Sequence, residues 1–197
     1  MNGVPHGLSA TALGAASVPL VGASPWMLAP CAIVAGIAGL TPDLDTEHSL
    51  LSSRVPWLSW LVRQVSFGHR GLTHLVPLWV ALAALSVYAT SGTNAPWLAP
   101  LVGAWWAGGL LHLAEDAMTK DGVPLIPGLW THWHITPRWF HFRSDSLVAT
   151  LVAGLITIAC IALVLVAYVP AAHDALFTGI RAVVGLPAVS APVGARS

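Results

Sequence analysis

Charge is what this chain has least of. Asp, Glu, Lys and Arg make up 8% of its 197 residues, where soluble domains carry about 25%. So few charges cannot cover the water-facing surface of a 20.5 kDa protein. With 56% hydrophobic residues and a mean hydropathy of +0.75, the chain reads as an integral membrane protein. Basic runs are also missing and the formal net charge is zero, so no nucleic-acid partner is expected. The two cysteines, Cys31 and Cys160, lie in separate apolar runs. That rules out a thiolate metal pair by spacing and leaves them as small apolar fillers. No Lys or Arg precedes the first apolar stretch, which Ser, Thr and Gly interrupt, so a cleaved signal peptide is not expected.

Five apolar segments are present: residues 7–22, 26–40, 74–90, 97–117 and 147–169. The first two are rich in small residues and short for a hydrocarbon core of about 30 Å. They are expected to pack as a hairpin inside the bundle, screened from lipid by other helices. The last, Leu147 to Val169, has 23 residues and no charge. The fold class expected is therefore all-α: a polytopic membrane helical bundle of about five apolar helices over residues 1–170. Residues 171–197 are expected to form a short interfacial helix, from His173 to Val184, and a disordered tail.

If all five segments cross, the N-terminus and both long polar loops, 41–72 and 117–145, share one side. Arg54, Arg63, Arg70, Lys120, Arg138 and Arg143 lie in those loops. The positive-inside rule makes that side cytoplasmic in a multi-pass membrane protein. Trp26, Trp57, Trp60, Trp97, Trp130, Trp133 and Trp139 fall near segment ends, as an interfacial belt requires.

The metal-capable side chains gather at those same cytoplasmic ends. His6 begins segment one; Asp43 and Asp45 end segment two; His69 and His74 begin segment three; His112 and Asp116 end segment four; His141 and Asp145 begin segment five. In "HLAED" His112 and Asp116 are four apart, one turn along one helix face, and "HFRSD" repeats the spacing with His141 and Asp145. "PDLD" offers two carboxylates in a turn after Pro42. His69 and His74 fit one site if Gly71 makes a turn and Thr73 caps a helix starting at His74. Imidazole with carboxylate and no thiolate suits zinc, manganese or iron, and so many candidates suggest one or two divalent ions, with zinc foremost. His48 and His173 stand apart and read as ordinary hydrogen-bonded histidines.

With an early His in "GVPHGLSA", then "GLTPDLD", "FGHRGLTH" and "GLLHLAEDAMTKDGVPLIPG", residues 1–147 resemble the YdjM-type family of membrane-bound metal-dependent hydrolases. More distantly, the chain is similar to the zinc-dependent phospholipase C and single-strand nuclease superfamily. Its HxxxD helix pair would correspond to His112 and Asp116. Its HxxxE pair would correspond to His141 and Asp145, with Asp in place of Glu.

The resemblance implies a hydrolase of the cytoplasmic membrane. A metal-bound water of lowered pKa would attack a phosphoester in a lipid or membrane-associated substrate. His6, Asp43, His69, His74, His112 and Asp116 would hold the ions, with His141 and Asp145 as further ligands. Asp45 would be a ligand or the general base. Arg70 would bind a phosphoryl oxygen, and the aromatic loop 128–142 would lie at the headgroup layer. Two other readings remain open. One is an ion or proton transporter, although the far halves of the helices carry no ionisable groups to continue a path. The other is a structural metalloprotein.

Overall fold

A computed structural model describes residues 3–66, 68–126, 129–169, 176, 177 and 180. It is mostly helical. The α-helices are α1 (Val4–Leu20), α2 (Leu28–Ala38), α3 (Leu50–Arg54), α4 (Pro56–Val65), α5 (Val76–Ser91), α6 (Leu98–Asp116) and α7 (Leu147–Tyr168). A proline stands in the first two positions of α1, α4 and α5 and of the 3-10 turns Pro25–Met27 and Pro42–Asp45. There its missing N–H costs nothing and its fixed φ suits a helix start. Ser146 caps α7 by accepting from the Ala149 N–H, and Ser49 caps α3 by accepting from Ser52.

Among the described residues, two helical segments are long and apolar enough to cross a membrane. They are Pro25–Asp45, with α2 at its middle, and α7, whose mean hydropathy is 2.7. The expectation of five apolar spans is thus met in part. α5 has 16 residues, about 24 Å at 1.5 Å per residue, short of the roughly 30 Å core. α6 has 19 residues but ends in His112, Glu115 and Asp116.

α1 packs on α2, α6 and α7, α2 on α6, and α5 on α6. The α1–α2 hairpin is present, and Gly14 sets its closeness: a Cβ there would stand 2.3 Å from the Cys31 carbonyl oxygen. Val18, Met27, Cys31, Ala35 and Ala104 form the core beneath it. Both cysteines are buried and free. The hairpin is not screened on all sides, however, because Leu8, Ile33 and Ile37 are exposed. Small residues such as Ala10, Gly14, Ala35 and Gly36 occupy the faces where helices meet, while Leu8, Ile33 and Ile37 point outward.

The two long loops hold more structure than their polarity suggests. In the first, α4 presents Trp57, Trp60, Leu61 and Val65 at its surface, at helical spacing, while Ser59 is buried and donates to the Leu44 carbonyl at 2.9 Å. In the second, β1 (Val123–Ile126) pairs antiparallel with β2 (Leu129–Trp133), in register Val123 with Trp133. The all-α expectation is corrected by this hairpin, whose strands flank a Pro-Gly pair. Of the tryptophans expected at an interface, Trp26, Trp57, Trp60, Trp97, Trp133 and Trp139 are all exposed; the Trp130 side chain lies outside the described residues. So do the expected helix 173–184, apart from three helical residues, and the tail.

Replacing Gly14 with Ala is expected to lower the thermal midpoint of the detergent-solubilised protein, by the ~1–3 kcal/mol typical of overpacking. Gly103→Ala, where a Cβ meets nothing within 4 Å, leaves the midpoint unchanged or raises it. A melting curve of the two variants against the parent checks both.

Candidate metal centre

α1 begins, α2 ends, α5 begins and α6 ends at the same end of the helical body, and the polar residues meet there. Asp43 and Asp45 lie on the 3-10 turn that closes the second segment, and both are buried. His69 and Arg70 form a tight turn in which Arg70 takes a φ of 62°, a left-handed conformation uncommon for a residue with a Cβ. That turn aims the Arg70 N–H at Asp45 Oδ2, 3.0 Å away. His74 ends a 3-10 turn, Leu72–His74, and is fully buried. Thr73 does not cap α5, as its position suggested. Its hydroxyl donates to Asp45 Oδ2 at 2.5 Å, and the capping position of α5 falls to Leu75. Trp79 holds the turn in place by donating Nε1–H to the Thr73 carbonyl at 2.7 Å. Its ring fills the space over Gly109, where a Cβ would lie 1.9 Å from it.

Each buried imidazole has one nitrogen occupied and one directed inward. His112 Nδ1 lies 2.8 Å from the Gly39 carbonyl oxygen. A carbonyl only accepts, so Nδ1 carries a proton and Nε2 is the atom left to face the cluster. His74 Nδ1 faces Thr73 Oγ1 at 3.1 Å and Asp45 Oδ2 at 3.5 Å. The inward nitrogens then meet two carboxylates. His74 Nε2 is 3.3 Å from Asp116 Oδ2 and 3.8 Å from Asp43 Oδ1. His112 Nε2 is 3.6 Å from both of those oxygens.

These four atoms, Asp43 Oδ1, His74 Nε2, His112 Nε2 and Asp116 Oδ2, are buried and have no hydrogen-bond partner among the described residues. Leaving a buried polar atom unsatisfied costs about 1–3 kcal/mol, so four at one point require an explanation. A cation would supply it. Ligands about 2.0–2.2 Å from a tetrahedral ion stand roughly 3.3–3.6 Å from one another, and the four nitrogen-to-oxygen distances here run from 3.3 to 3.8 Å. Asp43, His74 and His112 form a group able to hold a cation, with Asp116 Oδ2 beside both rings, and imidazoles oriented through their far nitrogens suit a divalent metal.

Asp45, His69 and His74 form a second group able to hold a cation. Here Asp45 is crowded with donors. His69 Nδ1 stands 2.9 Å from its Oδ1, and the Arg70 N–H and Thr73 hydroxyl reach its Oδ2. The His69 side chain is 42% exposed and opens the cluster to solvent. His74 belongs to both groups. Burial disfavours its charge, but Asp116 and Asp45 outweigh that and lift its pKa to about 9 in the metal-free protein.

His6 lies beside the four-atom set, its ring centroid 4.4 Å from that of His112, and its Nδ1 pairs with Glu115. Sequence reasoning passed over Glu115. The signal was in "HLAED", where Glu115 follows His112 by three positions and shares its side of α6. Arg70 does not reach out for a substrate as expected. Its Nη2 is 3.1 Å from Asp116 Oδ1, and its Nη1 donates to the Gly122 carbonyl at 2.7 Å and to Thr119 Oγ1 at 3.4 Å. His141 and Asp145 do not join the cluster. His141 Nε2 meets the Thr136 carbonyl at 2.8 Å and its ring stacks on His134. Asp145 is held by Arg143 at 3.1 Å in an exposed pair, whose hydrogen bonds and charge lower its pKa. The physical reason is that residues 142–146 run in extended and turn conformation before α7, so the helical spacing assumed for "HFRSD" never forms.

Fold and site together define a helical membrane protein with a buried His/Asp cluster. The family model of the YdjM inner membrane protein matches residues 1–185, and the chain belongs to that family. Among curated proteins it is similar to the inner membrane protein YdjM of Escherichia coli (strain K12), 34% identical over 124 residues. The YdjM protein of Shigella flexneri matches equally. The match covers 62% of this chain and 56% of the relative's length. No solved structure matches.

Two outcomes are expected from metal analysis of the purified protein. Asp43→Ala and His74→Ala lose the bound ion, Thr73→Val weakens it by about 10–100-fold through the lost orientation of Asp45, and His141→Ala and Asp145→Ala retain it. Because Asp116 and Asp45 favour the protonated form of His74 in the metal-free protein, loading is expected to release protons, read with an indicator dye in weak buffer; His141→Ala, outside the cluster, keeps the release.

Proposed function

We propose that the protein is a membrane-bound, metal-dependent hydrolase of a phosphoester, carried by a lipid or another membrane-associated substrate. The observation that carries this reading is the convergence of four partnerless buried donor atoms beneath one exposed imidazole. Asp43, His74, His112 and Asp116 would hold a divalent ion, most readily zinc. When bound, such an ion acidifies a water and polarises a phosphoryl oxygen.

The chain's own groups have distinct tasks. His69, held through Nδ1 by Asp45, faces solvent and accepts the proton given up by the attacking water. Asp45 fixes that ring and stabilises its imidazolium, so it acts as a positioning carboxylate rather than as the base. Arg70 pins Asp116 and ties the cluster to the turn at Gly122. His6 and Glu115 close the side facing α1 and keep bulk water from the inward nitrogens. By the distribution of Arg and Lys, this end of the bundle faces the cytoplasm.

A second reading has one observation in its favour. All four inward atoms are buried, as in closed structural metal sites. The test is hydrolysis of a chromogenic phosphodiester by the purified protein in detergent. Added metal supports turnover and a chelator ends it. Asp43→Ala and His112→Ala lose at least about 100-fold, and His69→Gln lowers kcat by about 10²–10⁴-fold with the metal retained. A metal-loaded protein that cleaves no phosphoester refutes the hydrolase and leaves the structural role.

A further inference from the structure

Beside the cluster, the β-hairpin and the segment after it enclose an open cavity of about 690 Å³, within the size range of small-molecule sites. Lys120, His132, His134, Arg138 and His141 line it, together with Trp133. The chain has only eight Lys and Arg residues and nine His; two of the former and three of the latter line this one basin. No carboxylate is among the lining residues. The nearest acids in sequence are turned away: Asp121 stands 3.8 Å from Arg70 Nη2 and Asp145 is held by Arg143. Lys120 and Arg138 have no carboxylate partner among the described residues.

The basin is ordered from within. His134 and His141 stack with ring centroids 4.0 Å apart and an interplanar angle of 17°. His134 donates Nε2–H to the Lys120 carbonyl at 3.3 Å, and His141 donates to the Thr136 carbonyl at 2.8 Å. In the same stretch of chain, Trp133, which lines the cavity, and its near neighbours Ile135, Trp139 and Phe140 are exposed, Trp139 at 84%. In a membrane protein an exposed aromatic rim of this kind sits at the headgroup level. Basic groups without a carboxylate partner beside it attract anionic lipid. A soluble anion site needs the cations but not the rim.

We propose that this basin is a phosphate-binding subsite, in which Lys120 and Arg138, backed by the His134–His141 stack, hold the phosphate of an anionic glycerophosphate group. Arg70 links it to the buried cluster, since its Nη1 donates to the Gly122 carbonyl and its Nη2 meets Asp116. The inference rests on the lipid-phosphoester reading for its purpose but not for its measurement, which is binding and not turnover.

The probes are short-chain phosphatidylglycerol, phosphatidylcholine of the same chain length and sn-glycerol 3-phosphate, titrated against the full chain in neutral detergent. Phosphatidylglycerol is expected to bind roughly tenfold or more tighter than phosphatidylcholine. The preference disappears in Lys120→Gln/Arg138→Gln and persists in Lys120→Arg/Arg138→Lys, whose retained charges also report that the basin still folds. Asp43→Ala keeps the preference, which separates the basin from the metal cluster and from any failure of hydrolysis. Glycerol 3-phosphate binding as tightly as the lipid assigns the subsite to a soluble phosphate; binding of the lipid alone assigns it to the headgroup. Equal affinity for the two lipids overturns the proposal. So does a preference that survives the Gln pair or vanishes with Asp43→Ala.

Discussion

Burying two imidazoles beside two carboxylates is unfavourable unless each polar atom finds a partner. In this chain the far nitrogen of each ring does find one, at the Gly39 carbonyl for His112 and at Thr73 and Asp45 for His74. The near nitrogens do not, and neither does the oxygen that each of Asp43 and Asp116 turns towards them. A protein that satisfies the outer half of each ring and leaves the inner half open has spent its hydrogen bonds on orientation. The rest of the structure serves that arrangement.

The helices provide positions that loops could not. Gly39 lets the end of α2 close on Ala10 of α1, with its own carbonyl 2.8 Å from His112 Nδ1; Gly109 admits Trp79, which anchors the turn bearing His74. Arg70 accepts a left-handed backbone so that its N–H and its guanidinium can serve Asp45 and Asp116 together. A non-glycine residue in that region is strained, and such strain gathers where a site over-determines the chain. Helix packing thus fixes the cluster from below and one strained turn fixes it from above.

Much of this could be read from residue order. Asp43, Asp45, His69, His74, His112 and Asp116 are legible because charge is so scarce that each polar residue at an apolar boundary stands out. The α1–α2 hairpin is legible from its small residues. What could not be read is which groups act directly and which act through others. Asp45 and Arg70 look like chemical groups in the sequence, yet both are occupied with neighbours, and only coordinates show an oxygen already taken. His141 and Asp145 mislead because their spacing is meaningful only on a helix, and the chain enters α7 after them. The β-hairpin and α4 were hidden for a related reason. Short amphipathic elements at a membrane surface have mixed polarity, which a search for long apolar runs registers only as loop.

The charge balance of the cluster explains why a phosphate-binding basin would be useful beside it. Three carboxylates, Asp43, Asp45 and Asp116, stand against one guanidinium, Arg70, with His74 and His112 between them. Before a cation is held, so many carboxylates disfavour the approach of a phosphate. A divalent ion would remove that repulsion without adding long-range attraction. In a chain of zero net charge, attraction of the phosphoester proposed above would then come from cations near the opening. Lys120 and Arg138 would suit that task, since they line an open basin outside the low-dielectric interior where an unpaired charge would be costly. Separating attraction from chemistry in this way would let the cluster stay buried.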